Sequence, residues 1–139
     1  MNKTLIFFFS LILFVNCTGF TPSEDTGNLD MRAYMTGKSI YERECSSCHG
    51  VDAEGYGNLY PTLDDSTLYH SSRNYLPCII RHGIKKNKVI MPGFEYLDFE
   101  NTADLINFLI EEYGSEKRFY SSEEIKQIVH DCGNQPASK

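Results

Sequence analysis

Cysteine and histidine lie close together at one point of the chain, in Cys45-Ser46-Ser47-Cys48-His49. Cys-x-x-Cys-His is the attachment signature of a c-type haem, with the histidine as the proximal iron ligand. Residues three apart share a face of a helix, so both sulfurs could reach one edge of a flat macrocycle. A thiol redox pair and half of a zinc site are the alternatives. A redox pair needs no adjacent histidine, and zinc needs a second close Cys/His pair that the sequence lacks, so the motif favours haem.

The composition describes one domain with tails. The chain has 139 residues, 41% of them hydrophobic, and a formal net charge of -6. A core of this size is small, so a buried cofactor could supply much of it. The acidic balance argues against general nucleic-acid binding.

The beginning of the chain predicts export. The apolar run from Leu5 to Val15 is too short to span a bilayer and fits the core of a signal peptide, which we assign to residues 1–16. Phe14-Val15-Asn16-Cys17 resembles the lipobox of bacterial lipoproteins, which implies a diacylglycerol on Cys17. The alternative is an ordinary signal peptide with an incidental cysteine. Residues 17–30 are polar and predict a flexible tether, so we expect a periplasmic or other extracytoplasmic protein held at a membrane surface by a lipid anchor.

Two segments resemble the packing helices of class I cytochromes c. Gly37 and Tyr41 precede the haem motif in one helix-like segment, and Leu105 and Phe108 recur in a second near the end of the domain. The resemblance covers roughly residues 31–114 and implies an all-α cytochrome c fold. In that fold the N- and C-terminal helices cross, which would bring Gly37 and Tyr41 against Leu105 and Phe108.

The same resemblance implies the remaining haem contacts. Pro61-Thr62-Leu63 stands where the family places Pro-x-Leu, so the Pro61 carbonyl would accept a hydrogen bond from the free ring nitrogen of His49, and Leu63 would touch the haem face. Met91-Pro92 resembles the family's distal ligand pair, so the Met91 thioether would complete the coordination of one covalent haem c. An ordinary loop proline and a core methionine are the alternatives.

The end of the chain predicts an extension beyond the minimal domain, over residues 115–139. Asn101 is the expected N-cap of the C-terminal helix and Gly114 its stop. Ser121 and Glu124 form a capping box for one further helix, which Gly133 should end.

Two cysteines are left after the haem pair and Cys17 are assigned. Cys132 falls on the apolar face of the extra helix, and Cys78 lies in the haem domain. Export permits disulfides, so we expect Cys78 and Cys132 to form one, which would attach the extra helix to the domain. Two separately buried thiols are the alternative.

The function that these features predict is one-electron transfer between redox proteins such as a dehydrogenase, an oxidase or another cytochrome. No nucleophile, base and oxyanion arrangement is visible, so we do not expect an enzyme. The alternative is a haem-based sensor or gas-binding module in which a labile Met91 detaches. A basic patch of Arg81, Lys85, Lys86 and Lys88 could dock an acidic partner, or could simply be a solvated loop.

Overall fold

The structure, a computed structural model, describes residues 29–86 and 89–133. Six α-helices, one π-helical turn and two short strands make up this part: α1 (Met31–Ile40), the π turn (Tyr41–Cys45), α2 (Ser46–His49), α3 (Ser66–Ser71), α4 (Leu76–His82), β1 (Ile84–Lys86), β2 (Val89–Met91), α5 (Phe99–Tyr113) and α6 (Ser122–Gly133). None of these helices is long and apolar enough to cross a membrane. The expected signal peptide, Cys17 and nearly all of the tether lie outside the described residues.

The core forms where α1 crosses α5, as the sequence predicts. Gly37 allows the crossing, because a Cβ atom there would lie 2.7 Å from the Asp104 carbonyl carbon and 2.7 Å from the Phe108 Cβ. The rings of Tyr34 and Tyr41 pack on Phe108, with centroids 5.4 and 5.8 Å away. The predicted crossing of the N- and C-terminal helices is confirmed.

A π-helical turn interrupts the first helical segment, which the sequence pattern predicted as a continuous α-helix. Ser46 N donates to the carbonyl of Tyr41, five residues back, so one turn holds an extra residue. Tyr41 is 2% exposed on the inner side of this turn. The turn therefore joins the helix crossing to the Cys-x-x-Cys-His segment.

The start of α5 differs from the prediction. Asp98, not Asn101, is the N-cap, and its side chain accepts a hydrogen bond from Asn101 N at 2.7 Å. Both residue types cap helices well. The earlier start adds Phe99 to the helix, where its side chain packs against the core, and this apolar burial favours the longer helix.

The extra helix forms at the predicted place, with Ile125 fully buried and Val129 buried beside it. Only one half of the expected capping box is seen. Glu124 N donates to Ser121 Oγ at 3.2 Å, whereas the Glu124 carboxylate accepts from Arg73 Nη2 at 2.9 Å. The Glu124 carboxylate therefore accepts a hydrogen bond from Arg73, which is distant in sequence, and not from the backbone N–H at the start of α6.

Candidate haem-binding site

An apolar cavity of about 200 Å³ lies between α2, the following loop, α4, the hairpin and α5. A cleft of about 110 Å³ adjoins it. Five of the six expected cofactor-binding residues line the cavity, and the sixth, Cys48, lines the cleft. The cavity is lined by Cys45, His49, Pro61, Thr62, Leu63, Leu68, Tyr69, Leu76, Ile79, Ile80, Ile84, Met91, Phe94, Leu105 and Leu109.

The His49 ring is held in one orientation. It is 8% exposed, and its Nδ1 lies 2.9 Å from the Pro61 carbonyl oxygen. With Nδ1 donating to that carbonyl, the lone pair of Nε2 is free for a metal, and the hydrogen bond fixes the tautomer of the ring. This is the geometry that the family resemblance implied for His49 and Pro61.

The loop that carries Pro61 folds back through tight backbone contacts. Leu63 N donates to the Ala53 carbonyl at 2.7 Å. Gly55 has φ +73°, and a Cβ atom there would lie 2.6 Å from the Tyr60 carbonyl oxygen. A side chain at this position would therefore displace the segment that presents the Pro61 carbonyl to the histidine.

Two tyrosine hydroxyls support this loop by hydrogen bonds that the sequence did not predict. The Tyr41 hydroxyl donates to the Gly50 carbonyl at 2.6 Å, directly after the Cys-x-x-Cys-His segment. The Tyr69 hydroxyl donates to the Leu63 carbonyl at 2.5 Å, and its ring lines the cavity. Burial raises the pKa of both phenols, so both are neutral donors. The aromatic before the motif was noticed as a packing residue, but no local pattern indicates these hydrogen bonds.

The protonation of Cys45 bears on the alternative chemistries of the motif. Burial, and then the charge of Glu44, raise the pKa of the Cys45 thiol to about 12. A nucleophilic redox cysteine needs a lowered pKa instead. In the described part of the chain, no group of three or more His, Cys, Asp or Glu side chains is placed to hold a metal ion. The raised pKa of Cys45 therefore disfavours the thiol redox pair.

The donor set fits a c-type haem. Cys45 and Cys48 are free thiols at the edge of the cavity and cleft. His49 and Met91 come from different elements and line the same cavity, so an imidazole and a thioether are available to one iron. The other walls are nearly all apolar, as a macrocycle with apolar faces requires.

Met91 lies at the end of a β-hairpin that the all-α prediction did not include. Ile84 pairs with Met91 and Lys85 with Ile90 in the antiparallel ladder. Phe94 N then donates to the Ile80 carbonyl at 2.9 Å, which ties the segment after Met91 to the end of α4. Helix α4 begins with Leu76 and Pro77 and ends at His82, and the Gly83 that caps it has φ +75°.

A disulfide joins Cys78 on α4 to Cys132 on α6, with the two Cα atoms 6.3 Å apart. Cys78 is buried but does not line the haem cavity. The bond therefore lies on the side of α4 that faces the extension.

The expected basic patch is not a uniform surface. Arg81 is half-buried, and its guanidinium lies over the Phe99 ring, 4.9 Å from the centroid. Arg81 is therefore packed against Phe99 of α5 and is not a solvated member of the basic patch. Lys85 is exposed on β1, whereas the side chain of Lys86 and the whole of Lys88 lie outside the described part. Docking at these lysines stays a prediction.

Comparison with known proteins identifies the family of this chain. A family model described as cytochrome C oxidase, cbb3-type, subunit III matches residues 32–109, which include all six candidate cofactor-binding residues. The cbb3-type cytochrome c oxidase subunit CcoP of Helicobacter pylori is 36% identical over 66 residues, covering 47% of this chain and 22% of that protein. The fructose dehydrogenase cytochrome subunit of Gluconobacter japonicus is 26% identical over 104 residues, covering 66% of this chain and 21% of that protein.

The chain thus spans about a fifth of the length of either relative. Among solved structures, c-type cytochrome XoxG from Methylobacterium extorquens AM1 has 25% identity and a TM-score of 0.47, covering 74% of this chain and 68% of that one. The family match covers more than half of the sequence. The chain therefore belongs to the family whose model is described as cytochrome C oxidase, cbb3-type, subunit III.

Proposed function

We propose that this chain carries single electrons on one covalently bound haem c, with His49 and Met91 as the axial ligands and Cys45 and Cys48 as the attachment sites. One observation carries the proposal. A single apolar cavity collects Cys45, His49 and Met91, and Nδ1 of His49 is engaged by the Pro61 carbonyl 2.9 Å away.

The protein's own residues account for the properties of such a carrier. When bound, the haem iron supplies the one-electron couple. The hydrogen bond to Pro61 holds the His49 ring in one tautomer and one orientation. Met91 offers a soft, uncharged sulfur, which favours ferrous iron and a higher potential than a second histidine would. Leu63, Leu105 and the other apolar walls limit access of water.

We further propose that the partner is a membrane-bound redox complex outside the cytoplasm. Two similar proteins are named as subunits of a cbb3-type oxidase and of a fructose dehydrogenase, which supports an oxidase or a dehydrogenase as the partner class. The signal peptide expected in residues 1–16 and the lipid expected on Cys17 would place the chain on the same membrane surface.

The test is the spectrum of the reduced holoprotein, matured with haem-attachment machinery, with and without carbon monoxide. We expect a low-spin c-type spectrum that carbon monoxide does not change, because both axial positions are filled. Met91→Ala should open one position and bind carbon monoxide. Met35→Ala should behave as wild type, since Met35 is an exposed methionine on α1.

Two results would count against the proposal. Protein without covalent haem, although Cys45 and Cys48 are intact, would remove the haem function altogether. A wild-type spectrum that carbon monoxide shifts readily would mean a labile Met91, and would favour the gas-binding or sensor function over the electron carrier.

A further inference from the structure

Helix α4 lies between the haem cavity and the C-terminal extension. Leu76, Ile79 and Ile80 line the cavity. Cys78, on the same helix, is bonded to Cys132 of α6 instead. Whatever fixes α4 from the side of the extension therefore also fixes one wall of the haem cavity.

The end of α4 is in direct contact with the segment that presents Met91. Phe94 N donates to the Ile80 carbonyl at 2.9 Å. Gly83 packs so tightly that a Cβ atom there would lie 2.7 Å from Gly93 N. Met91 is only two residues before Gly93. Because the packing leaves no space between α4 and this segment, a shift of α4 would also move Met91.

A second attachment holds the chain just before α4. Arg73 donates to the carbonyls of Arg118 at 2.8 Å and Phe119 at 3.2 Å, and to the Glu124 carboxylate at 2.9 Å. Its guanidinium stacks 3.8 Å above the Tyr120 ring, and the Tyr120 hydroxyl donates back to the Arg73 carbonyl at 2.7 Å. This contact is independent of the disulfide.

The extension is itself fixed to α5, so it can act as a rigid support. Asn107 of α5 donates to the Tyr120 carbonyl at 2.9 Å and accepts from Tyr120 N at 2.7 Å, and both bonds are buried. Ile125, which is part of α6, is fully buried. The support thus runs from α5 through the extension to α4, and from α4 to Met91.

We infer that the C-terminal extension is a positioning element for the distal ligand, which uses the Cys78–Cys132 disulfide and the Arg73 contacts to keep Met91 within reach of the iron. The inference rests on the proposed ligation by Met91. Without the disulfide and the Arg73 contacts, α4 would be held less firmly. Met91 would then dissociate from the iron more often. The site would then change from closed to accessible without any change in the ligand residues.

The test compares carbon monoxide binding by reduced holoprotein in three forms. These are wild type, the double variant Cys78→Ser/Cys132→Ser, and Asp98→Ala, which removes an exposed helix cap outside the cavity and so controls for general loss of stability. We expect the double variant to bind carbon monoxide at a concentration at least tenfold below the highest one that leaves the wild-type spectrum unchanged. Asp98→Ala should remain as unresponsive to carbon monoxide as wild type.

Arg73→Met keeps the disulfide and tests the second attachment. It should also bind carbon monoxide at concentrations that leave the wild-type spectrum unchanged, and it decides the question if the double variant yields no holoprotein. The inference is wrong if every variant that folds with haem is as unresponsive to carbon monoxide as wild type, or if Asp98→Ala shows as large a change as the others. Failure of the proposed function looks different, because Met91→Ala would then leave the wild-type spectrum and its carbon monoxide response unchanged.

Discussion

Gly37→Ala tests whether the close approach of α1 and α5 is real. The added methyl group would lie 2.7 Å from the Asp104 carbonyl carbon and 2.7 Å from the Phe108 Cβ, and closer still to the Asp104 carbonyl oxygen. These are backbone and Cβ atoms, which cannot rotate out of the way as the end of a long side chain can. The two helices must therefore separate.

The expected magnitude is a balance of two effects. Overpacking a dense core costs about 1–3 kcal/mol, and a clash with backbone belongs at the upper end of that range. Alanine in place of glycine within a helix returns about 1 kcal/mol. We therefore expect the free energy of unfolding to fall by about 2 kcal/mol, which corresponds to a decrease in Tm of roughly 10 °C for a domain of this size.

The assay is denaturant unfolding of the oxidised holoprotein, followed by far-UV circular dichroism. Ser39→Ala is the matched control, because Ser39 is an exposed position on the same helix. It should stabilise slightly, by a few tenths of a kcal/mol, through helix propensity alone. Should Gly37→Ala prove as stable as wild type or more so, propensity would dominate and the tight crossing would be refuted.

Three further predictions concern the pKa of a buried carboxyl, a helix cap and the disulfide. Asp104 is 6% exposed, and burial raises its pKa to about 6. The folded state therefore holds this proton more tightly than the unfolded chain does. As a result, the free energy of unfolding falls as the pH rises through about 4 to 6. Asp104→Asn should therefore be more stable than wild type at pH 7, by at most about 3 kcal/mol, and the gain should vanish near pH 4. A loss of stability at pH 7 would contradict this. Asp98→Ala removes the side chain that accepts from Asn101 N, and thermal unfolding should show a loss of about 1 kcal/mol. The intact mass of exported protein under non-reducing conditions should be lower by two hydrogens than after reduction, and an unchanged mass would exclude the Cys78–Cys132 bond.

The sequence predicts the chemistry of the site better than its surroundings. Cys45, Cys48 and His49 form a local motif, because they lie within five consecutive residues. A single helical turn is enough to bring their side chains together. Met91 was identifiable through its resemblance to a family motif. The structure brings all four to one cavity and cleft.

The contacts that fix these residues were not predictable, because they join distant parts of the chain. Arg73 binds the extension across 45 to 51 positions, and Tyr120 closes on Asn107 and on the Arg73 carbonyl. Nothing in the local pattern around Arg73 distinguishes it from a solvated arginine. The start of α5 was misplaced for a related reason, since Asp98 and Asn101 are equally good caps locally and tertiary burial of Phe99 decides between them.

The π turn has a consequence for how the length of this segment can vary. It holds one residue more than an α-helical turn between the glycine of the crossing and the first cysteine. Removing one exposed residue there, such as Glu42, would restore ordinary α-helical spacing and leave Gly37 and Cys45 on the faces they occupy now. Deletion of one residue is therefore structurally silent at this point, although the same deletion would break the phase of α1 or of the Cys-x-x-Cys-His segment. We therefore expect a chain one residue shorter at the π turn to place the helix crossing and the cavity in the same way.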